Sequence, residues 1–110
     1  MPPVRDIKQL SEKKLFALEK RARDIRVDLL TMLEAAGSGH SAGPLGLADI
    51  FTALYFHVLV HNPKKPNMKD RDRLILSCGH TVPIRYTAMA HAGHFPKSEL
   101  ATLRQFGSRL

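Results

Sequence analysis

The clearest pattern of apolar positions lies in the first third of the chain. Apolar residues recur there every three or four positions, the spacing of an amphipathic helix, and lysines and arginines occupy the opposite face. Gly37 follows the last of them, where a left-handed residue commonly ends a helix. The pattern predicts one long helix that ends at Gly37, after a loosely ordered lead-in over residues 1–14. Its apolar positions are Leu15, Leu18, Ala22, Ile25, Leu29, Met32, Leu33 and Ala36.

Three more helices are predicted after this one. Residues 37–46 include glycines and a proline, and predict a loop whose backbone can approach a ligand closely. Residues 49–59 are apolar almost all round, which predicts a helix buried among other elements and ended by Asn62-Pro63. A further helix is predicted over residues 84–92. A short one follows Pro96, with an apolar stripe formed by Leu100, Leu103 and Phe106.

One short apolar run has the composition of a buried parallel strand. It extends from Leu74 to Ser77, after a polar connector and the sequence Asp-Arg-Asp-Arg at 70–73. A lone parallel strand leaves its backbone donors and acceptors unpaired, so its neighbours must come from another chain or from residues beyond Leu110. The sequence therefore predicts a helix-rich α/β fold with one clear buried strand, in which residues 1–110 form only part of a domain.

Composition and charge narrow the function classes. Hydrophobic residues make up 44% of the 110 residues, which is ordinary globular composition, and the net charge of +7 favours anionic ligands such as phosphates or nucleic acid. Cys78 is the only cysteine, so we predict no disulfide and a reducing, cytoplasmic setting. No apolar run approaches the roughly 20 residues of a membrane span, and the first residues lack the apolar core of a signal peptide. We therefore predict a soluble protein with no membrane partner.

Two of the histidines are placed to meet a ligand. His40 lies in the glycine-rich loop before the second helix, and His80 lies just past the predicted strand, where the third helix starts. In open α/β sheets ligands bind at the carboxyl ends of strands, and helix starts favour anions. Both histidines are candidates for contact with a phosphate or a sugar. The alternative is that each is a turn residue bonded to a nearby carbonyl.

The remaining histidines give no metal site. His57 and His61 have the spacing of zinc ligands, but no glutamate follows His57 as in a metalloprotease helix, and no cysteine cluster accompanies them. His91 and His94 lie on either side of a helix end. We interpret both pairs as partly buried or capping imidazoles and predict no metal ligands in this chain.

Three further features are interpreted as structural. The basic face of the first helix has no interleaved aromatic residues and matches no nucleic-acid module, so we interpret it as solvated and do not predict nucleic-acid binding. Cys78 is interpreted as a small thiol at the edge of the core. The charges at 70–73 are interpreted as a surface ion-pair network.

Four motifs in register resemble a known family. Residues 37–50 are similar to the transketolase segment in which Ser-Gly-His precedes a small-residue loop and an Ala-Asp-Ile helix start. The other three motifs follow in the family's order and at similar spacings, and the resemblance runs from about Arg21 to the end. The sequence resembles the N-terminal, thiamine-diphosphate-binding part of transketolase, and above all the split form with separate N- and C-terminal subunits. The other motifs and the two segments that resemble the split form are His61-Asn-Pro, Asp70-Arg-Asp-Arg, Leu76-Ser-Cys-Gly-His, Phe95-Pro-Lys-Ser-Glu-Leu and the tail at 104–110.

The resemblance implies a transferase of carbohydrate metabolism, in the pentose phosphate pathway. Such an enzyme moves a two-carbon ketol unit from a ketose phosphate to an aldose phosphate with thiamine diphosphate and Mg²⁺ as cofactors. By carry-over, His40 would be catalytic, bonding the sugar near the reacting carbons and assisting proton transfer, and His80 would bond a diphosphate oxygen of the cofactor. Gly39, Gly79 and Asp49 would support the site structurally. The partners implied are the remaining domains or a C-terminal subunit, in a homodimer or heterotetramer of the complete enzyme.

The departures from the family pattern bear on activity. The family's Gly-Asp-Gly, followed downstream by an Asn, holds the magnesium and the diphosphate, and it does not occur in these residues. Histidines do not replace a divalent cation on a diphosphate, which needs oxygen ligands. We therefore expect the isolated 110 residues to be inactive and the metal ligands to lie elsewhere. Arg85 is a charge where the family usually has an apolar residue, and it indicates an altered surface.

Two alternatives stay open on the sequence. One is a fragment of a deoxyxylulose-phosphate synthase, a thiamine enzyme that shares the glycine-histidine loops. The residues at 70–73 and 104–110 favour transketolase instead. The other is a non-catalytic interaction module built on the basic helix, for which a steep salt dependence of nucleic-acid binding would be the signature.

Overall fold

A long first helix organises the computed structural model, which describes residues 9–110. Helix α1 runs from Glu12 to Ala36 and is capped by Ser11, whose hydroxyl accepts a hydrogen bond from the Lys14 N–H at 3.1 Å. Gly37, at φ 73°, ends it, and its N–H donates to carbonyl oxygens of the last turn. The predicted helix and its stop are confirmed. Of the predicted lead-in over residues 1–14, residues 1–8 lie outside the described part, and residues 12–14 form the first turn of α1.

The apolar stripe of α1 is the centre of the core. Six of its eight predicted positions are buried, whereas Leu15 is 46% exposed. Helix α1 packs against α3 (Ala48–Ala53), α4 (Val82–His91) and a 3₁₀ helix (Lys97–Thr102). The side chains that share this core include Ile25, Leu29, Met32, Phe51, Ile84, Ala88, Leu100 and Leu103.

The segment after α1 is more helical than the sequence predicted. Helix α2 (Ala42–Gly46) lies inside the predicted glycine loop, because Pro44 suits a first helical turn and the Leu45 N–H reaches the Ser41 carbonyl at 2.9 Å. The predicted helix at 49–59 is divided into α3 and a π-helical turn (Leu54–Val58). A single 3₁₀ turn (Gly79–Thr81) leads into α4.

The predicted buried strand at Leu74 to Ser77 is wrong. The segment is extended, but no strand is formed among residues 9–110, and Ile75 is 87% exposed. Leu74 and Leu76 pack on the core from one side only. Within residues 9–110, no backbone hydrogen bond joins residues 74–77 to another extended segment, and a strand requires such a partner. The fold of residues 9–110 is helix-rich and contains no strand.

Two smaller predictions also fail, and both concern exposure. Phe106 is fully exposed instead of completing the stripe of the last helix, because the 3₁₀ helix ends at Thr102. Cys78 is exposed and not at the edge of the core. Among residues 9–110, no helix combines the length and apolar character that crossing a bilayer requires.

Candidate functional site

The two histidines singled out in the sequence lie side by side. His40 and His80 are 40 residues apart in the chain, and their ring centroids are 5.1 Å apart with an angle of 62° between the ring planes. Both side chains are exposed. The structure therefore brings together two imidazoles that are open to a ligand, and the role of each stays a prediction.

Gly43 explains how the two histidines come so close. A Cβ at this position would lie 3.1 Å from the Cγ2 atom of Thr81, a contact tighter than side chains normally make. Helix α2 can therefore approach the 3₁₀ turn directly only because residue 43 has no side chain. Thr81 is itself buried, and its hydroxyl donates to the Cys78 carbonyl at 2.8 Å, which fixes the turn that carries His80.

The loop that carries His40 is held from the far end of the chain. Gly39 has φ 135°, a conformation that glycine adopts readily and other residues do not. The Arg104 guanidinium donates to both the carbonyl and the hydroxyl of Ser38, the latter at 2.9 Å. Arg104 has a positive φ of 59°, and its N–H donates to the Leu110 carbonyl at 3.1 Å. Apart from the family resemblance of the tail, no pattern in the sequence indicates this contact, because it joins residues 66 positions apart.

The immediate surroundings of His80 favour an anion. The turn leads into α4, a helix of ten residues, so the positive end of the helix dipole lies on the side of His80, although the Val82 N–H already donates to the Gly79 carbonyl and Pro83 has none. Gly79 has open space where a side chain would be, so the backbone there is accessible. Pro83 in the first turn confirms the predicted helix start.

Metal ligands are not grouped in the described part of the chain. Among residues 9–110, no three histidine, cysteine, aspartate or glutamate side chains lie close enough to share an ion. Asp49, predicted to support the site, forms an ion pair with Arg26 at 3.0 Å. The residues present fit the approach of an anion to His40 and His80, but they do not fit a divalent cation.

The histidines interpreted as structural form two separate contacts. The His61 Nε2–H donates to the Tyr55 carbonyl at 2.7 Å, so its Nδ1 accepts from the His94 Nε2–H at 2.9 Å. The His61 and His94 rings are also stacked, 5.0 Å apart. The Nε2 atom of His91 lies 2.6 Å from an oxygen of Asp28. These contacts agree with the interpretation of partly buried imidazoles.

Burial disfavours the charged form of two of these imidazoles. It lowers the pKa of His91 below 6.5, against the opposing effect of the hydrogen bond to Asp28. The Nδ1 atom of His91 is buried without a hydrogen-bond partner in the described residues, so protonation there would bury an unpaired N–H. Burial also lowers the pKa of His94, and the neighbouring His61 lowers it further.

These shifts predict that the chain loses stability in mild acid. The pKa of both groups is lower in the folded state than the 6.5 of the unfolded chain, so neither contributes to a pH dependence well above pH 6.5. Below that pH the unfolded state binds more protons, and the free energy of unfolding should fall as the pH drops through the folded pKa values. Urea titrations at pH 8, 7, 6 and 5.5 measure this. His94→Gln should reduce the slope between pH 6.5 and 5.5. Stability that rises as the pH drops from 6.5 to 5.5 would contradict the prediction.

Comparison with known proteins gives the family of the chain. The family described as "Transketolase, thiamine diphosphate binding domain" matches residues 18–110. Mouse transketolase is 37% identical over 99 residues, which are 90% of this chain and 16% of the mouse protein. A putative uncharacterized transketolase family protein, y4mO of Sinorhizobium fredii, is 40% identical over 95 residues, 86% of this chain and 34% of that protein. The 6-deoxy-6-sulfo-D-fructose transketolase subunit SqwG of a Clostridium species is 39% identical over 93 residues, 84% of this chain and 34% of the subunit.

The exposed pair of His40 and His80 lies within residues 18–110. The match over residues 18–110 gives the family, and the chain belongs to the thiamine-diphosphate-binding domain of the transketolases. The chain spans about a sixth of the length of the mammalian transketolases it matches, and about a third of the two bacterial proteins.

Proposed function

We propose that this chain is the N-terminal part of a transketolase that transfers a two-carbon ketol unit from a ketose phosphate to an aldose phosphate. The observation that carries the proposal is the pairing of exposed His40 and His80, with ring centroids 5.1 Å apart, in a chain of this family. The reaction would place the complete enzyme in the pentose phosphate pathway of the cytoplasm. The transketolases among its relatives favour this activity over that of a deoxyxylulose-phosphate synthase.

His80 is proposed to hold the cofactor. Its ring precedes α4, and an N–H donor beside a helix start stabilises a diphosphate oxygen through both the hydrogen bond and the helix dipole. Thiamine diphosphate, when bound, supplies the carbanion chemistry that the protein cannot. The open backbone at Gly79 leaves room for the anion.

His40 is proposed to act on the sugar. Its position on a loop fixed by Gly39 and by the Arg104 contact gives the imidazole a defined location, which proton transfer requires. An exposed imidazole can donate a hydrogen bond to a sugar oxygen and act toward it as a general acid or base. The two histidines thus have different tasks, and these tasks can be separated by experiment.

The metal and the remaining domains are proposed to come from other polypeptide. The family's Gly-Asp-Gly does not occur in this sequence, so Mg²⁺ would be held by residues of the rest of the enzyme or of a C-terminal subunit. The complete enzyme would then be a homodimer or a heterotetramer. One relative is itself named a transketolase subunit, which supports the split arrangement.

Two measurements test this proposal. The 110-residue chain alone should show no thermal shift with thiamine diphosphate and Mg²⁺, and a clear magnesium-dependent stabilisation would refute the proposed origin of the metal ligands. A chimera in which residues 18–110 replace the matched segment of mouse transketolase should bind the cofactor and catalyse ketol transfer.

The two histidine variants of the chimera serve as controls for each other. His80→Ala should weaken thiamine diphosphate binding by about tenfold, because a charge-assisted hydrogen bond is lost. His40→Ala should lower kcat and leave cofactor affinity unchanged. A chimera that folds by circular dichroism but binds no cofactor, or variants with the same effect on cofactor affinity, would contradict the assignment.

A further inference from the structure

A second polar cavity lies away from His40 and His80. It has a volume of about 280 Å³ and lies between the end of the π-helical turn, the extended segment at 71–74 and the outer side of α4. Neither His40 nor His80 lines it. Its charged lining consists of Arg71, Arg73, Arg85, His61, His94 and a single carboxylate, Asp72.

The three guanidinium groups are not neutralised by the contacts in the described residues. Arg71 donates to the Met68 carbonyl at 2.9 Å, and Arg73 donates to the Arg71 carbonyl at 3.4 Å. Arg85 is half-buried and has no hydrogen bond or ion pair among residues 9–110. These contacts place the arginines but provide them with no counter-charge. The contacts of Arg71 and Arg73 are therefore with backbone carbonyl oxygens, and not with the carboxylates of the surface ion-pair network predicted at 70–73.

The one carboxylate of the cavity has a structural role. The Val60 N–H donates to Asp72 Oδ2 at 2.7 Å, and the Asp72 N–H donates to the Val60 carbonyl, also at 2.7 Å. This reciprocal pair closes the connector between residues 60 and 72. Asp72 thereby brings Arg71 and Arg73 to the side of α4 on which Arg85 lies.

We infer that this cavity is a binding site for a small phosphate-bearing anion, held by Arg71, Arg73 and Arg85. Three cations around one cavity repel each other unless an anion joins them, and the guanidinium fork matches phosphate oxygens in pairs. Arg85 thus has a role that the proposed ketol transfer does not give it.

The volume of the cavity limits the ligand. Sites for drug-sized molecules or cofactors occupy about 300–1,000 Å³, so a cavity of about 280 Å³ accepts inorganic phosphate or a small phosphate monoester. A long polyanion would contact the rim only. The site therefore differs from the proposed cofactor site both in place and in the size of ligand.

The inference is tested by titrating the full chain with inorganic phosphate and with glycerol 3-phosphate. About 150 mM NaCl is included to screen loose surface binding. Binding should be saturable with one site, and amide chemical shifts should change at Leu74, Arg85 and Met89. Tighter binding of the ester would identify a monoester as the ligand, and tighter binding of inorganic phosphate would identify the free ion. Binding of neither, or shift changes confined to the His40 and His80 loops, would overturn it.

Matched arginine variants separate this site from the general positive charge. Arg85→Met keeps the apolar stem and should weaken phosphate binding about tenfold, whereas Arg23→Met removes the same charge from an exposed position of α1 and should leave it within twofold. Arg85→Lys should show intermediate binding, since the charge remains and the fork is lost. Circular dichroism checks that each variant is folded. Equal losses for Arg85→Met and Arg23→Met would refute a specific site, and they would leave the proposed roles of His40 and His80 unaffected.

Discussion

Leu29→Ala should lower the free energy of unfolding by about 3–5 kcal/mol, whereas Leu30→Ala should lower it by less than about 1 kcal/mol. Leu29 is 0% exposed and Leu30 is 47% exposed, so the two leucines differ in environment but not in chemistry. The loss at Leu29 combines the transfer free energy of the removed atoms with the cavity that they leave.

The position of Leu29 in the core explains the large expected loss of stability. The buried face of α1 contacts α3, α4 and the last 3₁₀ helix, so it is the surface that these elements share. Domains of this size are typically stable by only about 5–15 kcal/mol. Leu29→Ala should therefore remove a large part of the total, while Leu30→Ala should leave the fold intact.

Urea denaturation followed by circular dichroism at 222 nm measures both variants. The midpoint should fall strongly for Leu29→Ala at an unchanged slope. Similar losses at the two positions would mean that α1 is not packed with this face inward.

Gly39→Ala should cost about 2–3 kcal/mol and displace the loop that carries His40. The backbone at φ 135° is strained for any residue with a Cβ, at a cost of about 1–3 kcal/mol. The added Cβ would also lie 2.7 Å from Leu33 Cδ2 and 3.2 Å from the Arg104 guanidinium. Relief of that overlap requires movement of the core edge or of the Arg104 contact.

Gly46→Ala is the matched control for this change. Gly46 ends α2, has no positive φ, and has open space within 4 Å of where an alanine Cβ would lie, so alanine there should be neutral or slightly stabilising. Urea titration gives the stability of both variants, and the ring-proton resonances of His40 and His80 report on the site. The resonances should move in Gly39→Ala and stay in place in Gly46→Ala. Equal stability of the two variants would show that the loop does not need glycine at 39.

The sequence predicted the structural features that depend on residues close to one another in the chain. The three-four spacing of apolar residues determined the buried face of α1, and Gly37 determined its end, because both depend on neighbours within one or two turns. Pro83 likewise marked the start of α4. In each case, residues close in sequence determine the outcome.

The features that the sequence did not predict depend on distant partners. An apolar run such as Leu74 to Ser77 has strand composition, but a strand exists only when another strand pairs with it. For the site, glycine-rich loops indicated His40 and His80 as candidates, but their adjacency depends on the close approach at Gly43. The stacking of His61 on His94 and the cavity around Arg85 also join segments whose proximity no spacing rule gives.

The Arg104 contact to Ser38 has a consequence for synthesis of the chain on the ribosome. The two residues are 66 positions apart. At roughly 5–20 residues per second, Arg104 is therefore synthesised about 3–13 seconds after Ser38. Helix α1 needs only local bonds and can form early in that interval. The loop beside it forms its contact with Arg104 only late in synthesis. The surface around His40 is therefore among the last parts of this region to reach its final structure.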